Sequence, residues 1–190
     1  KRPYAWSRAH AEIELAIEQL GVSYSFLRPH YFMQNFLSLL VVDENGVVTL
    51  EAPAGAGTIG AIDAYDIGEC GAKLLATGEP LNAHAVLTGP ENIPMRRVAK
   101  AFGGAVGADF SYVDLDPLEY RVLHEAEDPG STDDIVGVYA EVREGTMAVH
   151  SGDVECITGS SPRSIEQFAA ANVDAINAAI ASASSKPGHP

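Results

Sequence analysis

Helical segments alternate with short apolar runs of strand length through the first half of this sequence, and that alternation restricts the fold more than any other feature. Ser7 reads as the N-cap of a helix reaching about Leu20, with Ile13, Ala16, Ile17 and Leu20 on one face and Glu12, Glu14 and Glu18 mostly on the other. Gly21 supplies a stop. Residues 22–27 read as a strand closed by Arg28-Pro29, and helical spacing resumes from His30 to about Leu40 through Phe32, Phe36 and Leu39. Asp43-Glu44-Asn45-Gly46 is a turn before a brief strand at 47–50.

A glycine-rich loop at 53–60 leads to an extended piece at 59–62, and Asp63 or Asp66 then caps a helix through Leu75 with Gly78 beyond its end. Residues 83–87 form a strand ending on Thr88-Gly89-Pro90. Pro94 begins a helix closed by Gly103-Gly104, 110–113 is a strand, and Asp116-Pro117 opens another helix. Residues 131–144 favour helix, and Ser164 caps a last one from 165 to about 181. Units of βα type giving way to an α-rich part make this an α/β chain.

The chain has 190 residues, a length for one ordinary domain, and 46% hydrophobic against 20% charged residues gives it a core to bury, which excludes disorder as its overall state. Lys and Arg total 12 against 26 Asp and Glu, and no basic patch offsets the net charge of −14, so the sequence predicts no nucleic-acid partner. The longest apolar candidate, 36–42, falls far short of the roughly 18 residues a membrane span needs. Cys70 and Cys156 suit neither a disulfide framework nor a zinc knuckle and fit a reducing, cytoplasmic compartment. His84, His124 and His150 lack metal-ligand spacing, so no metal is expected.

Gly55-Ala56-Gly57-Thr58-Ile59-Gly60 matches the dinucleotide fingerprint G-x-G-x-x-G letter for letter. Its chemistry requires a strand directly before it and a helix opening on it, so that the helix N-terminus faces a diphosphate. Pro53 argues against a central parallel strand, the following residues read as extended, and Glu79 follows a helix stop rather than a second strand. The match is read as an ordinary glycine loop.

Other segments, in order, carry more specific information. They are Leu27-Arg28-Pro29 with Tyr31-Phe32-Met33-Gln34-Asn35, Asp63 with Asp66-Ile67-Gly68, Leu87-Thr88-Gly89-Pro90-Glu91, Val98-Ala99, Pro117-x-x-Tyr120, and Thr158-Gly159 with Pro162-Arg163-Ser164-x-Glu166-x-Phe168. Together, over about residues 4 to 175, they resemble the NmrA-like family of atypical short-chain dehydrogenases, including its NAD(P)H-dependent quinone reductase branch. The resemblance implies the C-terminal part of a doubly wound, Rossmann-like parallel sheet with a smaller α-rich substrate lobe. It divides the chain at 1–90 for the cofactor-binding part, 91–182 for a mostly helical substrate lobe interleaved with it, and 183–190 for a frayed tail. Family members open with a glycine fingerprint and further βα units, on the order of 100 residues. With Lys1-Arg2-Pro3 as the first residues, the expectation is a processed or downstream piece whose NADP (or NAD) is bound mainly through residues upstream.

Ordinary short-chain dehydrogenases place a Tyr four residues before a Lys; the resemblance sets Trp6 and His10 at those positions. Indole has no transferable proton at neutral pH, which leaves His10 as the catalytic candidate and as a contact to the nicotinamide ribose. Tyr4, four residues before Arg8, is a weaker coincidence. Pro29, His30, Tyr31 and Phe32 leave the C-terminal end of a strand, where doubly wound sheets bind ligands, and are the expected cofactor contacts. Asn35 is read as tying down a loop, Arg28 as pairing with an acid or a cofactor phosphate, and Asp63 and Asp66 as helix caps rather than a carboxylate pair. The implied activity is NAD(P)H-dependent reduction of a small conjugated acceptor such as a quinone. The alternatives are a non-catalytic NADP-sensing regulator and a fragment unable to bind cofactor alone. No membrane partner is expected, and a homodimer is allowed.

Overall fold

The computed structural model describes residues 4–124 and 129–184. Helix α1 (Ala5–Gln19) leads into strand β1 (Phe26–Pro29), which pairs in parallel with β5 (His84–Leu87). The Phe26 amide donates to the Ala83 carbonyl at 3.1 Å and the His30 amide to that of Leu87 at 2.8 Å. By alternation, Leu27 and Pro29 turn their backbone polar groups to the opposite edge. That edge has no partner strand among the described residues. Proline, lacking an N–H, is tolerated at such an edge, so β1 runs through Arg28-Pro29 instead of stopping before them. The strand also starts late, because Tyr24 exchanges hydrogen bonds with Asn82, through its carbonyl at 2.8 Å and its amide at 3.3 Å, before regular pairing begins.

A second sheet has the order β2 (Leu40–Val42), β3 (Val48–Ala52), β7 (Ser111–Asp114), with β2 antiparallel and β7 parallel to β3. The Asp43 carboxylate accepts from the Asn45 and Val47 amides and shapes the turn between β2 and β3. A short antiparallel pair joins β4 (Thr58–Ile59) to β6 (Ile93–Pro94). The remaining helices are α2 (Ala64–Thr77), α3 (Met95–Val106), α4 (Pro117–His124), α5 (Pro129–Glu144), α6 (Asp153–Thr158), α7 (Ile165–Ala171) and α8 (Val173–Ser184).

Several boundaries differ from those read in the sequence. Helix α1 begins at Ala5, with Tyr4 rather than Ser7 at its N-cap. Residues Met33–Leu39 form a 3-10 helix whose buried side chains, Met33, Phe36 and Leu39, recur every third position, the period of that helix. Gly103 and Gly104 lie inside α3, which stops at Gly107 in the left-handed region. A Cβ on Gly103 would stand 2.7 Å from the Ala108 carbonyl oxygen, so this glycine serves the close return of the chain. Ser164 does cap α7, in a reciprocal box with Gln167, but the expected long helix breaks at Asn172, whose side-chain amide donates to the Phe168 carbonyl at 2.8 Å.

The larger core gathers Phe36, Leu50, Phe102, Tyr139 and Phe168, and a smaller one sets Ile62, Cys70, Ala85, Leu87 and Val154 between the β1–β5 pair and helices α2 and α6. Both cysteines are free thiols, Cys70 buried and Cys156 exposed. Neither core covers the apolar face of α1: Ile13 is 55% and Leu20 72% exposed, and Leu75 of α2 is 86% exposed. The sequence placed Ile13, Ala16, Ile17 and Leu20 on one face; of that set only Ile17 is half-buried. No helix among the described residues is long and apolar enough to cross a membrane.

Candidate functional site

A cleft of about 530 Å³ opens beside the C-terminal end of β1. Its floor is the turn His30-Tyr31-Phe32, which is held rigidly. The Ile62 amide donates to the Tyr31 carbonyl and the Met33 amide to the Ile62 carbonyl, both at 2.8 Å, while Gly89 donates to Ala61 at 3.0 Å. A Cβ on Gly89 would lie 2.2 Å from the Ala61 carbonyl oxygen, so the Thr88-Gly89-Pro90 turn needs glycine for this approach. The 3-10 helix adds Asn35 and Leu39, and α4 and α5 close the far side with Tyr120, Ile135 and Tyr139.

Aromatic packing dominates the interior. Tyr31 packs on Phe36 with ring centroids 5.2 Å apart, and Tyr120 meets the Tyr139 ring edge-on at 5.8 Å. The hydroxyls of Tyr31 and Tyr139 are 3.2 Å apart. Burial pushes the Tyr31 phenol up to about 12, and raises that of Tyr139 well above its ordinary value, so both are neutral across the physiological range. His30 is pushed the other way: burial lowers its pKa, with the Gly60 carbonyl opposing. Its Nδ1 is buried without a hydrogen-bond partner in the structure. Among the described residues that line the cleft, none is Asp, Glu, Lys or Arg.

Of the residues singled out in the sequence, His30, Tyr31 and Phe32 come together on this cleft, whereas His10 is exposed on α1 and Pro29 is half-buried at the end of β1, neither of them lining it. The Trp6 side chain lies outside the described residues. Asn35 is exposed on the cleft, where the sequence placed it in a loop anchor. Arg28 pairs with Glu14 through both Nε and Nη2, which resolves its two readings in favour of an acid. Tyr139 was not legible as a site residue; its spacing from Thr132, Ile135 and Val136 fits one helix face, the signal that could have found it.

A nicotinamide ring fits what the turn presents. An unpaired buried nitrogen on His30 can accept an amide N–H, and Phe32, 37% exposed, offers a ring face. The loop at 55–60 does not fit a diphosphate. A strand does precede it, since β3 extends to Ala52 and is central and partly parallel, contrary to the reading of Pro53. No helix opens on the loop, however, and its amides are spent: Gly55 donates to the Asp114 carboxylate, Gly57 to the Ala54 carbonyl and Gly60 to that of Met147. A Cβ on Gly57 or Gly60 would stand 2.0 Å from the carbonyl oxygens of Val142 or Val149, so the loop is pressed against protein.

Asp63 caps α2, as its position in the sequence predicts, accepting from the Tyr65 amide. Asp66 instead accepts from the Arg163 amide at 2.9 Å, tying the C-terminal segment to α2. Among the described residues no cluster of His, Cys, Asp and Glu can hold a metal ion.

Comparison with known proteins agrees with this architecture. The NmrA-like family matches residues 4–150. The uncharacterized oxidoreductase YesF of Bacillus subtilis is 33% identical over 156 residues, 78% of this chain and 53% of its own length. An NAD(P)H azoreductase of Xenophilus azovorans is 27% identical over 180 residues, 93% of this chain and 62% of its own. The crystal structure of an NADPH-dependent quinone oxidoreductase from Escherichia coli, complexed with NADPH, superposes with a TM-score of 0.73 at 17% identity, covering 89% of this chain and 60% of that one. The chain thus spans little more than half the length of the relatives it matches.

Proposed function

Because this chain belongs to the NmrA-like family, we propose that it forms the acceptor-binding part of an NAD(P)H-dependent reductase of quinone-like or other conjugated molecules. The observation that carries this reading is the aromatic cleft at the C-terminal end of parallel strand β1, whose described lining is uncharged. A bound nicotinamide would supply the hydride. The chain's own part is to hold the ring and the acceptor against each other and to exclude water. His30 Nδ1 and Phe32 are the groups that would hold the nicotinamide, with Pro29 and Tyr31 shaping the turn that carries them. His10, exposed on α1 and outside the cleft lining, would serve only as a ribose contact. With the 55–60 loop spent on protein contacts, the diphosphate of NADP (or NAD) would be held by residues outside that loop. A cytoplasmic setting suits both the cofactor and two free thiols.

The test is NADPH oxidation by the full encoded protein against a panel of quinones, azo dyes and enones. Turnover confined to conjugated acceptors is expected, and no turnover with any of them defeats the reading.

One observation favours a second reading, a regulator that senses NADP without chemistry. The phenols of Tyr31 and Tyr139 are held neutral and His30 is biased against its charged form, so none of these three groups is ready to release a proton at neutral pH. Equal affinity for NADP and NADPH with no turnover would select it.

A further inference from the structure

Tyr31 and Tyr139 bring two phenolic protons to the cleft wall, but a single hydrogen bond joins their oxygens, at 3.2 Å. Whichever hydroxyl donates, the other keeps a proton that has no acceptor among the described residues. Tyr139 is 1% exposed while Tyr31 is half-buried on the cleft wall, so Tyr139 is placed to donate to Tyr31 and the proton left for an entering molecule is that of Tyr31. A buried donor without an acceptor is unfavourable unless something entering the cleft satisfies it.

We infer that the Tyr31–Tyr139 pair is the specificity anchor of the cleft, donating its spare hydrogen bond to a carbonyl oxygen on a flat, neutral acceptor. This rests on the reductase reading and narrows it: the preferred substrates are quinones and conjugated ketones, rather than azo compounds or cationic dyes. Three features converge on that class. The described lining residues carry no formal charge to pair with a cation or an anion. The rings of Phe32 and Tyr120 give a planar molecule faces and edges to lie against. Both phenols are held neutral, Tyr31 with a pKa near 12, so the pair donates a hydrogen bond and does not become an anion that would repel an electron-rich oxygen. The hydroxyls act by positioning, and no proton leaves them.

The discriminating experiment measures binding and turnover separately on the full encoded protein. Calorimetry with 1,4-naphthoquinone and with naphthalene, which has the ring shape and no oxygen, is expected to give about tenfold or greater preference for the quinone. In the double variant Tyr31→Phe/Tyr139→Phe the preference should collapse to near unity while naphthalene binding persists. Removing both partners of one pair leaves the shape intact and no orphaned group, so the variant should fold, which thermal melting checks. Tyr139→Phe leaves the Tyr31 hydroxyl free to donate and should keep most of the preference, whereas Tyr31→Phe leaves only the buried Tyr139 hydroxyl and should lose it. A double variant that retains the preference, or a protein that never shows it, overturns the anchor. If the preference behaves as expected and NADPH is not oxidised, the reductase reading falls while the anchor stands. If NADPH is oxidised but the double variant discriminates like the parent, the anchor falls alone.

Discussion

The Arg163 guanidinium stands 3.3 Å from the Asp63 carboxylate, a contact between residues 100 positions apart, and lies over the Tyr65 ring at 3.7 Å. Asp63 is 2% exposed and also accepts from Gln34, so a carboxylate in the wall of the smaller core is neutralised by the segment leading into α7. Replacing Arg163 with Ala should destabilise the fold by about 2 kcal/mol, because it removes a cation from a buried carboxylate and a stacked group from an aromatic ring. Urea unfolding measures it, and a loss near zero would mean that Gln34 and the Tyr65 amide suffice.

The neighbouring Asp66 predicts a pH effect of definite sign. Burial raises its pKa, with Asp63 and Glu69 adding to the rise against the Arg163 amide and charge. A carboxyl whose folded pKa lies above its unfolded value binds more protons in the folded state, so its ionisation subtracts stability as pH rises from the unfolded pKa through the folded one. Asp66→Asn keeps an oxygen for the Arg163 amide and removes that charge. The variant should gain stability relative to the parent at pH 7, and the gain should shrink towards pH 3. Melting curves across that range decide; a difference independent of pH would contradict the assignment.

Glycines should divide sharply by what stands beside them. Gly57→Ala and Gly60→Ala place a methyl group 2.0 Å from a backbone oxygen and should each cost about 3 kcal/mol, since backbone cannot step aside as a side chain can. Gly68 lies in α2 with nothing within 4 Å, and Gly68→Ala should stabilise by about 1 kcal/mol through helix propensity alone. Thermal melts of the three variants are the check.

Cofactor affinity should depend on His30 and not on Arg28. Exchanging His30 for Phe removes the buried acceptor and should weaken NADPH binding to the full encoded protein about tenfold. Arg28→Met breaks an exposed pair with Glu14, worth less than about 1 kcal/mol, and should change affinity less than twofold. Fluorescence titration with NADPH separates the two; a large effect at Arg28 would restore its reading as a phosphate ligand.

Local signals in the sequence located most elements, and the turn at 30–32, because each rests on neighbours in the chain. Gly78 adopts the left-handed stop conformation, Asp116 accepts from the Leu118 amide at the start of α4, and Ser164 caps α7. What escaped was decided at long range. Helix α6 spans Asp153–Thr158, too short to show a period, and is fixed by Asp153, which accepts from the Val86 amide at 2.7 Å. The cleft's far wall depends on α5 crossing to meet Tyr31, a contact 108 positions apart that no spacing announces. The exposed face of α1 shows the converse: an amphipathic pattern states that a face is to be covered, and says nothing of what covers it.

The open side of β1 has a polarity of its own. Leu27 presents a donor and an acceptor there, and Pro29 an acceptor with no donor, while the outer side of β5 is stoppered by the Asp153 carboxylate. A strand arriving at β1 must therefore bring more N–H groups than it needs carbonyls, and indiscriminate growth of cross-strand pairing past Pro29 is checked by a single ring. Along β1 the seam can still be sewn, and the stitch pattern is chosen by a proline.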